Sequence, residues 1–212
     1  ISALEKNSLP CGCKLSFGFM SSLTFARQAL KNWREVGAVA PSSPLLGARM
    51  AEVAEVWRAE RVVELGPGTG ALTAPVLDAM PHESQYLGLE LNADFVKTLR
   101  QRHPGHRFEA AAAQEFDFST LWPDDASFDV VISGLPWASF PDSLQTAILD
   151  HVLPRLRPGG RFATFAYWGF HFLPNGRRFR SLLHSRLTGV ESSRVLWGNL
   201  PPAFIYVGRA AE

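Results

Sequence analysis

The segment Val62-Val63-Glu64-Leu65-Gly66-Pro67-Gly68-Thr69-Gly70 constrains the fold of this chain more than any other. A β-branched, apolar run from Arg61 to Leu65 passes directly into three alternate glycines. A helix-forming run, Ala71 to Ala79, follows at once. Glycine allows a tight turn and lets a ligand approach the backbone closely. Strand, glycine turn and helix in that order open an α/β sheet, and a nucleotide-like ligand sits at the carboxyl end of its first strand. The next strand, Gln85–Glu90, ends on an acid. A carboxylate at that place can accept hydrogen bonds from both hydroxyls of a ribose.

The rest of the chain continues the alternation. Helices are expected over Asn92–Arg102, Ser143–Leu156 and Arg177–Leu187, and strands over Arg107–Glu109, Phe128–Ser133 and Arg161–Ala166. The end reads as two strands, Gly189–Leu196 and Ala203–Gly208, joined without a helix and therefore antiparallel. A helix over Pro44–Arg58 precedes the first strand. The pattern predicts an α/β, mostly parallel sheet closed by that antiparallel pair.

Composition narrows the function classes. A chain of 212 residues, 46% hydrophobic and 19% charged, can bury one substantial core. The net charge of +1 argues against a strongly basic nucleic-acid-binding domain. Cys11 and Cys13 cannot form a disulfide scaffold, and no metal site is expected. The most apolar stretch, Phe162–Leu173, is shorter than the roughly 18–20 residues of a membrane span. Basic residues are nearly all arginine, with lysine only at positions 6, 14, 31 and 97. Codon usage accounts for that, as would guanidinium forks reserved for phosphate or carboxylate.

Gly66, Gly68 and Ala71 also satisfy the dinucleotide pattern G-x-G-x-x-G/A. The third glycine at Gly70, Glu64 inside the first strand and the terminal strand pair favour S-adenosylmethionine instead. Over about Ala51 to Arg209 the chain resembles the class I S-adenosylmethionine-dependent methyltransferases. Their motif I looks like Glu64 to Gly70, and their ribose-binding acid looks like Glu90. The resemblance implies a Rossmann-like, seven-stranded sheet, S-adenosylmethionine as cofactor and S-adenosylhomocysteine as product. It implies donor contacts at Glu64, Gly66, Gly68, Thr69, Gly70, Glu90, Leu91 and Ser133. Many members carry an Asp after the third strand, near the adenine amine. Here that stretch reads Ala110-Ala111-Ala112-Ala113-Gln114-Glu115, so backbone groups, Gln114 or Glu115 are the expected substitutes, with Ala113 and Gln114 as donor contacts.

The acceptor side begins where the fourth strand ends, at Ser133-Gly134-Leu135-Pro136-Trp137. This resembles the [N/D/S]-x-P-[aromatic] loop of enzymes that methylate amino nitrogens. Backbone carbonyls in a proline-stiffened turn can hold an amine by its hydrogens, and an aromatic ring favours the growing positive charge. With Glu35-Val36-Gly37-Ala38-Val39-Ala40-Pro41-Ser42-Ser43 and Trp197-Gly198-Asn199-Leu200-Pro201-Pro202, the turn is similar to segments of the bacterial phospholipid N-methyltransferases. Those enzymes convert phosphatidylethanolamine stepwise into phosphatidylcholine. The resemblance implies that Pro41, Ser42 and Ser43 line the donor pocket. It also implies that an N-terminal amphipathic helix reaches an anionic membrane through Leu23, Phe25, Arg27, Leu30, Lys31, Trp33 and Arg34.

Tyr167, Trp168, His171, Arg177 and Arg178 are the expected head-group contacts, with Tyr167 beside the reacting nitrogen or its phosphate. Residues 1–21 are expected to be a leader, 22–45 the helix and donor-pocket linker, and 46–212 the methyltransferase domain. A monomer bound peripherally to the inner face of the cytoplasmic membrane follows from that reading. Residues 1–50 carry six basic residues against Glu5 and Glu35, so the near-neutral total averages a basic front and a mildly acidic body. Two other acceptors fit the motifs: another amino lipid, such as an ornithine lipid, and RNA adenine N6. Against RNA, Ser133 replaces the Asn usual in that family, and net charge is near zero.

Overall fold

The computed structural model describes residues 43–212. The expected leader, the amphipathic helix with its seven membrane-contact residues, and Pro41 and Ser42 lie outside the described residues. Helix α1 (Pro44–Val53) opens the described chain. It is followed by β1 (Arg61–Leu65), α2 (Thr73–Ala79), β2 (Gln85–Glu90), α3 (Ala93–Arg102) and β3 (Arg107–Ala110). Then come β4 (Phe128–Ser133), α4 (Asp142–Val152), β5 (Leu156–Tyr167), α5 (Pro174–Arg186), β6 (Thr188–Ser192) and β7 (Ala203–Arg209). Among the described residues the strands form one seven-stranded sheet in the order β3-β2-β1-β4-β5-β7-β6.

β1 to β5 run parallel, and β7 runs antiparallel to both β5 and β6. This is the mostly parallel sheet with an antiparallel terminal pair that the sequence predicts. The central strands are buried on both faces, as a crossover sheet requires. On one face Val62, Val130, Ile132 and Ala163 meet Leu46 and Met50 of α1, Val76 of α2 and Leu99 of α3. On the other Val63, Val131 and Phe162 meet Ile148 and Leu149 of α4 and Phe179 and Leu183 of α5. Alternate residues of each strand serve opposite layers, so the register is fixed by burial on both sides.

Two helices end earlier than their periodicity predicts. α1 stops at Val53, and Glu55 adopts φ 54° before a short 3₁₀ turn at Val56–Arg58. The reason is Arg161, only 9% exposed, whose Nη1 donates to the Val53 carbonyl at 2.9 Å and which pairs with the Glu55 carboxylate. The guanidinium satisfies the helix's terminal carbonyl and holds the reversed residue. α4 stops at Val152 because Pro154 has no N–H to continue it; Leu153–Arg155 form a 3₁₀ turn instead.

The consequence for function is geometric. Every parallel strand delivers its following loop to the same edge. Gly66–Gly70, Leu91, Ala113–Gln114, the Ser133–Trp137 turn and the loop from Trp168 therefore share one rim.

Candidate active site

The three glycines of the β1–α2 loop all take positive φ: 70° at Gly66, 57° at Gly68 and 88° at Gly70. Each has a different neighbour. A Cβ at Gly66 would lie 2.7 Å from Leu135 Cδ2, and one at Gly70 2.9 Å from Leu99 Cδ2. A Cβ at Gly68 would meet nothing within 4 Å. Gly66 and Gly70 are thus small because protein packs against them. Gly68 lines open space, where a side chain would occupy the ligand's place.

Glu90 closes that space from β2. It is 6% exposed, and its Oε2 accepts the Gly68 N–H at 3.0 Å while Oε1 accepts the Asn92 N–H at 2.9 Å. Two backbone donors fix the carboxylate's plane. Each oxygen keeps a lone-pair position for a ribose hydroxyl. Asn92, which caps α3 with its own side chain, gives Glu90 its second anchor. After β3, where the adenine is expected, Gln114 Nε2 is buried without a hydrogen-bond partner among the described residues. An orphaned donor at the rim is costly unless a ligand acceptor meets it, and a purine nitrogen would. Open cradle, pinned carboxylate and orphaned amide fit S-adenosylmethionine.

Beneath the loop lies a buried polar group that the sequence reading did not assemble. Glu64 is fully buried and accepts from Tyr86 Oη at 2.5 Å and from Thr73 Oγ1 at 3.2 Å. Burial pushes its pKa up from 4.5 to about 7, against the lowering pull of the two hydrogen bonds. Tyr86 is raised well above its usual value, first by burial and then by the Glu64 charge. Glu64 therefore braces strand β1 to β2 and α2 under the glycine loop. Thr69 stands on the exposed side, where its carbonyl accepts from Arg102 Nη1 at 3.0 Å.

The Ser133–Trp137 turn is built differently from the expectation. Gly134 packs so closely on the donor loop that a Cβ there would sit 2.8 Å from the Gly66 carbonyl oxygen. Ser133 is fully buried, and its Oγ accepts from the Leu135 N–H at 3.3 Å and from Trp137 Nε1 at 3.1 Å. Its carbonyl accepts the Thr164 hydroxyl at 3.0 Å. Ser133 thus pins the turn from within. Trp137 is 3% exposed and stacks on Phe179 at 4.5 Å and 14°. The ring expected to cover the acceptor nitrogen is a core side chain, because Phe179 covers one face and Phe140 and Phe162 meet its edges. Fully buried Gln145 then clamps the turn, donating to the Trp137 carbonyl at 2.8 Å.

The expected head-group cluster is also divided. Tyr167 is buried in the layer that packs α1, opposite the Trp137 layer, with Phe165 5.3 Å away. Strand alternation causes this: Phe162 and Ala166 face one layer, Ala163 and Tyr167 the other. Arg178 is paired with Asp142. Trp168 and Arg177 are exposed, and His171 is half-buried, its pKa lowered chiefly by burial. Ser43 caps α1 through its hydroxyl, and its N–H donates to Asn199 Oδ1 at 3.0 Å. That bond ties the chain's entry to the β6–β7 loop. His151 is structural: its Nε2 and the Phe116 carbonyl are 2.8 Å apart.

Among the described residues no helix is long and apolar enough to cross a membrane, and no three His, Cys, Asp or Glu side chains gather as a metal site. The family profile described as "Methyltransferase domain" matches residues 62–160. The ornithine lipid N-methyltransferase of Singulisphaera acidiphila is 29% identical over 191 residues, covering 89% of this chain and 95% of that protein. The ribosomal RNA small subunit methyltransferase A of Thiobacillus denitrificans is 37% identical, but over only 46% of this chain and 36% of its own length. Among solved structures, the O-methyltransferase TomG of Streptomyces achromogenes, in complex with S-adenosylmethionine, superposes with a TM-score of 0.58 at 20% identity, covering 91% of each chain. The O-methyltransferase of Bacillus cereus, in complex with S-adenosylhomocysteine, gives 0.60 at 14% identity, covering 87% of this chain and 90% of that one. Sheet order, glycine loop, pinned ribose-side carboxylate and these matches agree on a Rossmann-like methyltransferase fold with S-adenosylmethionine as cofactor.

Proposed function

We propose that the protein N-methylates the primary amine of a membrane lipid, with phosphatidylethanolamine as acceptor. The observation that carries this reading is the Ser133–Trp137 turn packed against the Gly66 carbonyl, which sets an amine-methylating sequence directly beside the donor loop. A second acceptor, ornithine lipid, is favoured by the relative that matches nearly end to end. Both present a primary ammonium on a polar lipid. RNA is supported less, since the ribosomal RNA methyltransferase matches over only 46% of this chain and 36% of its own length.

Bound S-adenosylmethionine supplies an electrophilic methyl group. The chain's own residues supply position, which carries most of the rate in a direct displacement. Glu90 and the Gly68 backbone hold the donor's ribose. The Ser133 carbonyl is engaged by Thr164, so the Gly134 carbonyl is the acceptor we assign to the amine's N–H. Trp137 acts from behind, keeping the turn in place through Ser133 and Phe179. The ammonium must lose a proton before it can attack, and water at the open rim takes it.

The test is a panel. Purified protein with deuterium-labelled methyl donor is offered vesicles containing phosphatidylethanolamine, vesicles containing ornithine lipid, and a structured ribosomal RNA fragment. Mass shifts on phosphatidylethanolamine support the first reading, and shifts on ornithine lipid alone replace it with the second. Methylation of RNA alone overturns both.

A further inference from the structure

The loops after β5 and β6 carry an aromatic surface that the site above does not use. Trp168, Phe172, Leu173, Trp197 and Leu200 are 46–75% exposed. The three rings form one patch: Trp168 lies 6.0 Å from Phe172 and 6.1 Å from Trp197, centroid to centroid. The patch is anchored to the fold, since Trp168 N–H donates to the Pro202 carbonyl at 2.7 Å and buried Asn199 Nδ2 donates to the Pro201 carbonyl at 2.7 Å.

Phe172 is shared with a second feature. It and His171 border a cleft of about 820 Å³ whose other wall is α5, with Arg177, Arg180, Ser181, His184 and Ser185. No lining residue is acidic. Arg178, on another face of α5, is neutralised by Asp142. From His151 to Val190 there are seven arginines and no Asp or Glu, and of these Arg157, Arg161, Arg178 and Arg186 pair with acids from outside that run.

We infer that this aromatic patch and the Arg177–Arg180–His184 cleft beside it form a docking surface for an anionic lipid bilayer. Exposed Trp and Phe next to unopposed cations is the composition that sits at a bilayer interface. The rings enter the head-group region, and the cations meet lipid phosphates and negative surface charge. Placement agrees: both loops lie at the sheet edge that carries the glycine loop and the Ser133–Trp137 turn. A bilayer held there faces the open rim of the donor site. The inference complements the lipid-methylating reading, and it is tested without any amino lipid present, so either can fail alone.

The experiment uses the full chain and vesicles of phosphatidylcholine with phosphatidylglycerol (1:1) or of phosphatidylcholine alone. Arg180→Gln should weaken binding to the anionic vesicles about fivefold and leave the neutral ones unchanged. Phe172→Ser combined with Trp197→Ser should weaken binding at least tenfold. Donor affinity, read by calorimetry, should stay within twofold in both, which shows that the fold is intact. Trp197→Phe covers the case in which the serine variants misfold. Bromine-labelled acyl chains should quench the tryptophan emission of the wild type, and part of that quenching should vanish in Trp197→Phe. Unchanged vesicle binding in the first two variants overturns the inference. So does quenching identical in wild type and Trp197→Phe, which is also the result if other residues of this chain or another protein cover the patch.

Discussion

Replacing Glu64 by glutamine should flatten the pH dependence of stability. Glu64 is fully buried, and burial raises its pKa from 4.5 to about 7. A carboxyl that binds its proton more tightly in the folded chain stabilises the fold fully below the unfolded value. That contribution is lost as pH rises through the folded value. Each pH unit across the interval is worth 1.36 kcal/mol, so the loss is at most about 3 kcal/mol between pH 4.5 and 7. The substituted amide would be neutral at every pH. Its carbonyl can still accept from Tyr86 Oη, and its NH₂ can donate to Thr73 Oγ1, so the contacts survive. Urea midpoints from pH 5 to 8.5 at fixed ionic strength measure the effect. Wild type and E64Q should differ by less than about 1 kcal/mol at pH 5, and E64Q should be more stable at pH 8 by up to about 3 kcal/mol. Parallel profiles for the two proteins would refute the assignment, since the slope would then come from other groups.

The donor site yields three more outcomes. Glu90→Gln turns an NH₂ toward one of the two backbone donors that Glu90 now accepts, and it removes a charged acceptor for ribose. Donor affinity by calorimetry should fall about 10–100-fold. Gly68→Ala should fold, at a cost of about 1–2 kcal/mol for its positive φ, and lose donor binding because its methyl enters the cradle. Gly66→Ala should lose stability as well, since its methyl meets Leu135; thermal unfolding with and without donor separates the two. Trp137→Ala should cost about 3–5 kcal/mol, while Trp137→Phe keeps the Phe179 stack and loses only the Ser133 hydrogen bond, about 1 kcal/mol. If Trp137→Ala stayed as stable as wild type but lost turnover, the ring would be an acceptor contact after all.

What could be read from residues alone follows from how local each signal is. The central parallel strands were legible because each holds a short apolar run next to a turn, β3 (Arg-Phe-Glu-Ala) only weakly, and the terminal pair because no helix separates its strands. The early ends of α1 and α4 were legible only in part. Pro154 announces the second break, but the first depends on Arg161, which lies 108 residues from the carbonyl it caps. The glycine loop was legible down to its residues, yet not the division of labour within it. Pattern alone gives three equivalent glycines, whereas packing makes two of them spacers and Gly68 the wall of the cradle.

The acceptor side shows where local reading stops. A turn such as Ser133–Trp137 specifies its own backbone, but the direction of its tryptophan is decided by what the remote helix α5 places there, and Phe179 takes the ring into the core. Tyr167 follows the same logic. One position along β5 decides which layer a side chain joins, and no feature of the sequence near Tyr167 says which layer faces the acceptor. The arginines of α5 were legible as a basic run, yet Arg178 is neutralised by Asp142 while Arg177 and Arg180 line an uncompensated cleft. Helical spacing makes that split, since residues 177, 180 and 184 share a stripe from which 178 is rotated by about 100°. Chemistry that rests on backbone near one strand end could therefore be read in advance. Chemistry that rests on side chains converging from α4, α5 and the β6–β7 loop is fixed by packing between elements, and it is there that the acceptor and the bilayer would be chosen.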